Sequence, residues 1–421
     1  MNFNQNGMCK IAIIGAGISG LSAAHFLKSK YDVTLFEKEN KAGGLIKCRR
    51  VNGCLFHICG GHVFNSKRQD VLDWFWSVFQ RENEFSKTDR NSVVFMEGGE
   101  KIPYPIENHM YLFDDDTQKH FIKNLFEIRK GINQQPYNFE EFLKNCFGET
   151  LYEIYFKPYN EKVWRRNLKN VPISWLEGKL PMPSVEDMIF NNMNHVEEKD
   201  FVHATFWYEK VNGSQYIVDK LAQGLKIVYG SNISSIDKIG DKWEVHGQLF
   251  DKILFCGNIK DMVKAVKGID LSKFENDIEA LEYHGTTSVF CEIDSNPYSW
   301  IYLPSKQHES HRIICTGNFA KSNNKNLPKG RITATIEFTD SFSKEEILEN
   351  LTRIPLRPTY IDHQYNRYTY PIQNINTRLL IQELKHNCCD YNLHFTGRFA
   401  DWEYYNMDAA IGASMDLCKT L

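Results

Sequence analysis

Apolar and polar positions follow two rhythms along the chain. Lys10 to Ile14 is a short apolar run suited to a buried strand, and Ile18, Leu21, Phe26 and Leu27 then recur at helical spacing before a second run, Val33 to Phe36. From about Asp70 to Asp200 the segments DVLDWFWSVF, FIKNLFEIRKG and NFEEFLKNCFGETLYEIYFKPYNEKVW place aromatic and charged residues at helical spacing, which predicts a helical insertion. Strand signals return between about Phe201 and Gly257. There NISSIDKIGDKWEVHG predicts a hairpin around Gly240-Asp241, and FDKILFCGN a buried strand. TTSVFCEI, RIICTGNF and RITATIEFT predict a mostly antiparallel sheet over about 260–375. The end reads as a strand, a turn and a helix opening near Asn406 or Asp408.

Between the first strand and helix, Gly15, Gly17 and Gly20 form G-x-G-x-x-G, with Ser19 inside the loop. The three glycines serve different ends, since Gly15 makes a tight turn, Gly17 lets a pyrophosphate approach the backbone, and Gly20 allows close packing of helix on strand. The second strand ends in Glu37, followed by Lys38, where a carboxylate can accept both ribose hydroxyls of an adenosine. The unit predicts dinucleotide binding and leaves FAD and NAD open. A glycine pair just beyond the acid, Gly43-Gly44, favours FAD.

Composition narrows the partners. With 50 basic against 53 acidic residues there is no electrostatic reason to expect nucleic acid. Eleven cysteines, an odd number without C-x-x-C spacing, fit reduced thiols in the cytosol. No stretch has the length and apolarity of a signal peptide or membrane span, so a cytoplasmic protein without membrane insertion is expected. His57, Cys59 and His62 surround Gly60-Gly61. Three candidate ligands within six residues, with no second cluster, make a poor zinc site, so no metal is expected.

FHICGGHVFNSKRQDVLDWF resembles the segment of the UDP-galactopyranose mutase family in which a glycine-histidine turn packs on the flavin ring. PYPIENHM, KPYNEKVW, SWLEGK, WIYLPSKQHESHR, RYTYPI and GRFADWEYYNMD match further motifs of that family, in the same order. The resemblance implies an FAD enzyme, active as reduced FADH−, that interconverts pyranose and furanose forms of a nucleotide sugar without net redox change. In that chemistry flavin N5 attacks the anomeric carbon, the nucleoside diphosphate leaves, and it returns after the sugar ring has reclosed. A place in bacterial surface-polysaccharide synthesis is implied with it.

The same resemblance assigns the residues. Gly60, Gly61, His62, Arg398 and Met407 would join Gly15, Gly17, Ser19, Gly20, Glu37, Lys38, Gly43 and Gly44 at the flavin. Arg312 would pair with the diphosphate; Tyr302, Tyr370 and Tyr404 would reach the phosphates; and Tyr104, Asn160, Trp164 and Asn406 would contact substrate. Lys179 stands where the family has a second diphosphate arginine, and His203 where it has an asparagine. With Ile106 and Glu107 after Tyr-Pro, and Asn406 for an acid, these departures fall at the substrate. His62, Arg312 and Lys179 are the expected catalytic set.

The implied fold is α/β: a Rossmann-like FAD-binding domain with a helical insertion domain and an antiparallel β-sheet domain. The expected boundaries are 1–69, 201–259 and 376–421 for the discontinuous FAD domain, 70–200 for a helical domain with a mobile substrate loop, and 260–375 for the substrate sheet. Two alternatives accompany this reading. One is an FAD-dependent oxidoreductase of the amine oxidase or protoporphyrinogen oxidase type, and the other a nucleotide-sugar-binding flavoprotein without catalysis. The sequence leaves a homo-oligomer open, and does not name the sugar, the base or the reductant.

Overall fold

The computed structural model describes residues 7–131, 136–173, 183–196 and 205–421. A five-stranded parallel sheet runs in the order Leu393–Phe395, Lys252–Phe255, Lys10–Ile14, Asp32–Phe36, Lys226–Val228. Its strands are apolar on both faces because both are covered. Ile11, Ile13, Leu35 and Leu254 pack with helices Ile18–Leu27 and Met407–Thr420, whereas Ala12, Ile14, Phe36 and Phe255 pack with the Trp243 hairpin and with helix Thr377–Cys389. The hairpin expected around Gly240-Asp241 is present as Ile236–Ile239 against Lys242–Val245.

A seven-stranded sheet has the order Thr359–Pro371, Tyr283–Asp294, Arg331–Thr339, Arg312–Ile314, Trp300–Tyr302, Ser92–Phe95, Lys101–Pro103. Every neighbouring pair is antiparallel except Trp300–Tyr302 with Ser92–Phe95, which run parallel. Two of these strands come from the stretch whose pattern predicts helices, and a third from it, Phe85–Asp89, pairs with Thr205–Glu209. The insertion is thus helical only in part. Ser92 to Phe95 is buried at all four positions, which is why a β-branched run there adds to a sheet.

The helices of this stretch are Gln69–Val78, Asp115–Lys130, Phe139–Leu151, Lys157–Trp164 and Val185–Asn194, with a short one at Arg81–Glu84. Side-chain caps set the starts of three of them: Asp114 accepts from the Asp116 and Thr117 amides, Asn138 from Glu141, and Ser184 forms a reciprocal box with Asp187. The apolar faces meet in a core of Phe121, Leu125, Leu143, Phe147, Leu151 and Trp164, which also takes in Val94 and Ile102 of the sheet. Among the described residues no helix is long and apolar enough to cross a membrane.

Trp243 is fully buried, and its indole N–H donates to Tyr391 O at 2.9 Å. Trp243→Ala is expected to lower the unfolding free energy by about 3–5 kcal/mol, read from the midpoint of a urea transition with unchanged slope.

Candidate functional site

Two positions of the glycine loop, Gly15 and Gly20, exclude a side chain. Gly15 holds φ +103°, and a Cβ there would stand 3.3 Å from the Cys256 carbonyl. A Cβ on Gly20 would overlap the Gly15 carbonyl oxygen, so the helix rests directly on the turn. Gly17 and Gly44 face each other: a Cβ on Gly44 would lie 3.4 Å from Gly17 Cα, and the gap is lined by backbone. Gly43 donates to Ala16 O at 2.9 Å. Glu37 is buried and accepts from the Ala16 amide at 2.7 Å and the Glu39 amide at 3.0 Å, while Lys38 is exposed. Ser19 is buried, and its carbonyl accepts from Ser414 Oγ at 3.1 Å, which ties the first helix to the last. The last helix opens at Met407. Asn406 makes no capping bond to its first turn, where the Asp408 carboxylate takes backbone hydrogen bonds from its own amide and that of Ala409.

Facing this cradle is the turn after strand Cys54–His57. Gly60 donates to Glu337 Oε1 at 2.9 Å, and a Cβ on Gly61 would stand 2.5 Å from Ile314 Cγ2, so the turn lies tight against the seven-stranded sheet. His62 leaves Nε2 buried and unpaired, and Arg398 leaves Nε in the same state. These orphaned atoms and the backbone-lined gap fit a bound dinucleotide whose ring system reaches both. His57 Nε2 pairs with Tyr208 OH at 2.8 Å, and among the described residues no three His, Cys, Asp or Glu side chains gather to hold a metal.

The sheet contributes a row. Tyr302 lies directly opposite Arg312, and Arg312 directly opposite Glu337, on three adjacent strands. Directly opposed residues share a face, so the three side chains stand side by side. Arg312 gives its Nε hydrogen to Glu337 and an Nη2 hydrogen to Tyr370 OH at 3.0 Å. Tyr370 stacks on Tyr404 with centroids 5.4 Å apart, and the Arg398 guanidinium covers Tyr404 at 4.2 Å. Tyr302 packs on Tyr104 at 5.0 Å, accepts from Arg90 Nη2 at 3.3 Å, and meets Tyr159 edge-on at 5.6 Å. Asn160 and Trp164 follow Tyr159 on the same helix. Asn160 Nδ2 donates to Phe156 O at 2.7 Å, Trp164 is buried, and Asn406 is exposed ahead of the last helix. Lys179 and His203 lie outside the described residues.

Burial sets the electrostatics here. It pushes His62 down to about 4, helped by the Arg398 charge, and His57 down to about 3, so both imidazoles are neutral near pH 7. It pushes the Cys59 thiol up to about 12, which keeps that group an inert neighbour. Burial opposes the charges of Arg312 and Glu337, but each outweighs that for the other. Arg312 is held well above its ordinary value, and Glu337 well below the usual carboxylate range. Tyr104 and Tyr370 are raised by burial and remain phenols.

Sequence reading passes over Glu337, Tyr159 and Arg90. The signal for Glu337 is a single acid inside RITATIEFT, a strand otherwise β-branched and apolar after its first residue; Tyr159 sits within KPYNEKVW directly before Asn160. A surface cavity of about 690 Å³, lined by Gln69, Trp76, Arg81, Lys87 and Trp207 among others, includes none of the sequence-predicted residues.

Residues 13–80 match the NAD(P)-binding Rossmann-like domain. The UDP-galactopyranose mutase of Mycoplasma genitalium is 22% identical over 98% of this chain and 94% of its own length. The dTDP-fucopyranose mutase of Escherichia coli is 26% identical over 42% of this chain and 46% of its own. A crystal structure of a reduced UDP-galactopyranose mutase superposes with a TM-score of 0.84 at 22% identity, covering 98% of this chain and 95% of the other. Along nearly its whole length, in sequence as in its Rossmann-containing α/β fold, the chain is similar to the UDP-galactopyranose mutases.

Proposed function

We propose that the protein is a flavin-dependent mutase that interconverts the pyranose and furanose forms of a nucleotide-diphosphate sugar in the cytoplasm. The observation that carries this reading is Arg312. Its guanidinium lies between the Gly60–His62 turn and a set of tyrosines, next to the cradle a dinucleotide would fill. A fixed guanidinium with donors left over suits a diphosphate leaving group, whose oxygens it can take in bidentate fashion. The likeness to mutases of two nucleotide sugars supports the substrate class.

When bound and reduced, FAD would supply a nucleophilic N5 for the anomeric carbon, with no net oxidation. The chain's own residues do the rest. Gly17 and Gly44 admit the pyrophosphate of the cofactor, and Glu37 accepts its ribose hydroxyls. Neutral His62 offers Nε2 to the ring system, and the N-terminal end of helix Met407–Thr420 turns the positive end of its dipole toward the reduced pyrimidine edge. Arg312 holds the departing diphosphate near the anomeric carbon, with Tyr302, Tyr370 and Tyr404 donating to its oxygens and Lys179 adding charge. Tyr104, Asn160, Trp164, His203 and Asn406 line the sugar and base positions in this reading.

Protein reduced with dithionite under anaerobic conditions and mixed with UDP-, dTDP- and GDP-sugars is expected to give one new chromatographic peak of unchanged mass, absent with oxidised protein. Peroxide formation with net substrate oxidation in air would instead establish the oxidase. Arg312→Ala is expected to weaken nucleotide-sugar binding roughly 10- to 100-fold, the worth of a charge-assisted hydrogen bond, with flavin retained; loss of flavin from that variant would place Arg312 elsewhere. His62 binds no proton in the fold between about 6.5 and about 4, where the unfolded chain does, so it withdraws stability as pH falls through that window. The fall in unfolding free energy between pH 7 and pH 5 is therefore expected to be smaller in His62→Asn by up to about 2 kcal/mol, measured by urea titration at both pH values.

A further inference from the structure

Glu337 is the only carboxylate among the described residues with no solvent exposure at all. A buried carboxylate costs several kcal/mol unless its lone pairs are taken. Here they are divided between two elements. Oε1 accepts from the Gly60 amide at 2.9 Å, on the turn that would face the flavin; Oε2 takes the Nε hydrogen of Arg312, with His311 Nε2 3.6 Å away. Against the cost of burial, the Arg312 charge holds the Glu337 carboxyl well below the usual carboxylate range, so the pair stays ionised. The strand register enforces this, because Arg312 and Glu337 are directly opposed in the antiparallel pairing.

Two consequences come from the geometry. Bonding Nε and one Nη2 hydrogen, to Glu337 and to Tyr370, fixes the plane of the guanidinium and leaves its other hydrogens free for an anion. The pair also has no net charge, so the positive charge beside the cofactor site comes from Arg398, with His62 neutral and the helix N-terminus carrying Asp408 in its first turn. Resting on the mutase reading above, we propose that Glu337 is a positioning residue with two clients: it presents Arg312 to the nucleoside diphosphate, and it balances the Arg312 charge beside the flavin.

The charge balance makes opposite single-variant effects and a cancelling double variant. Glu337→Gln keeps an oxygen for the Gly60 amide but leaves Arg312 uncompensated, so the midpoint potential of the bound flavin is expected to rise by at least about 30 mV, a tenfold preference for the reduced form in a two-electron couple. Arg312→Ala is expected to lower the potential, and the double variant to return near the starting value. Glu337→Asp keeps the charge and shortens the reach: the potential stays near wild type, while the Kd for UDP, measured by calorimetry on holoprotein, rises about tenfold. In the Arg312→Ala background, replacement of Glu337 is expected to have no further effect on UDP binding, since it acts through the arginine.

Losses of UDP affinity that add up in the double variant would overturn the proposal, as would an unchanged potential in both single variants or a double variant whose potential stays far from wild type. If Glu337→Gln does not retain flavin, Arg312→Ala and Glu337→Asp decide: a potential unmoved by the first, or a UDP affinity unmoved by the second, sinks it. The mutase reading fails separately. Holoprotein that binds no nucleoside diphosphate in either redox state would remove that reading, while the potentials would still decide whether Glu337 balances Arg312.

Discussion

The fold turns on a contact too close to admit a methyl group. Helix Ile18–Leu27 rests with Gly20 against the Gly15 carbonyl, which leaves the start of the helix pressed on the turn that ends the first strand. From that contact the neighbouring parts take their places. The Gly17 backbone faces Gly44, Glu37 reaches back to the Ala16 amide, and the last helix packs on the first through Ser414 and Ser19. Two helix N-termini and one carboxylate therefore converge where the parallel sheet ends, the position at which open α/β sheets bind their ligands.

The second sheet brings what a parallel sheet seldom offers, a row of polar side chains on one face of adjacent antiparallel strands. Tyr302, Arg312 and Glu337 are aligned by backbone pairing alone, so their spacing is as rigid as the sheet. Loops would hold such groups less firmly. The turn at Gly60 and Gly61 has no room to move toward this sheet, since Ile314 and Glu337 touch it from beneath.

Much of this is readable from the chain. The glycine loop, the acid after the second strand, the hairpin around Gly240 and the terminal helix at Met407 announce themselves because local spacing and conformation dictate them. Arg312 and the tyrosines can be picked out only through resemblance, since nothing local distinguishes Tyr370 from a core tyrosine. Strands Phe85–Asp89, Ser92–Phe95 and Lys101–Pro103 are hidden among helical signals, because each is short, and the first two gain their stability from partners far away in sequence. Glu337 is legible only afterwards. Its partners are 25 and 277 residues distant, and no local rule connects them.

The parallel sheet is assembled from strands spread between Lys10 and Phe395, with its central strand paired to Lys252–Phe255 on one side. During synthesis at about 5–20 residues per second the first strand waits roughly 12–50 s for that neighbour. The last helix, which covers the face with Ile13 and Leu21, arrives later still. An apolar ribbon left without its cover for that long is a natural client for holding chaperones, and the dinucleotide site exists only once the C-terminal segment has docked. Truncation from the C-terminal end would therefore strip the cover from the part of the chain that is made first.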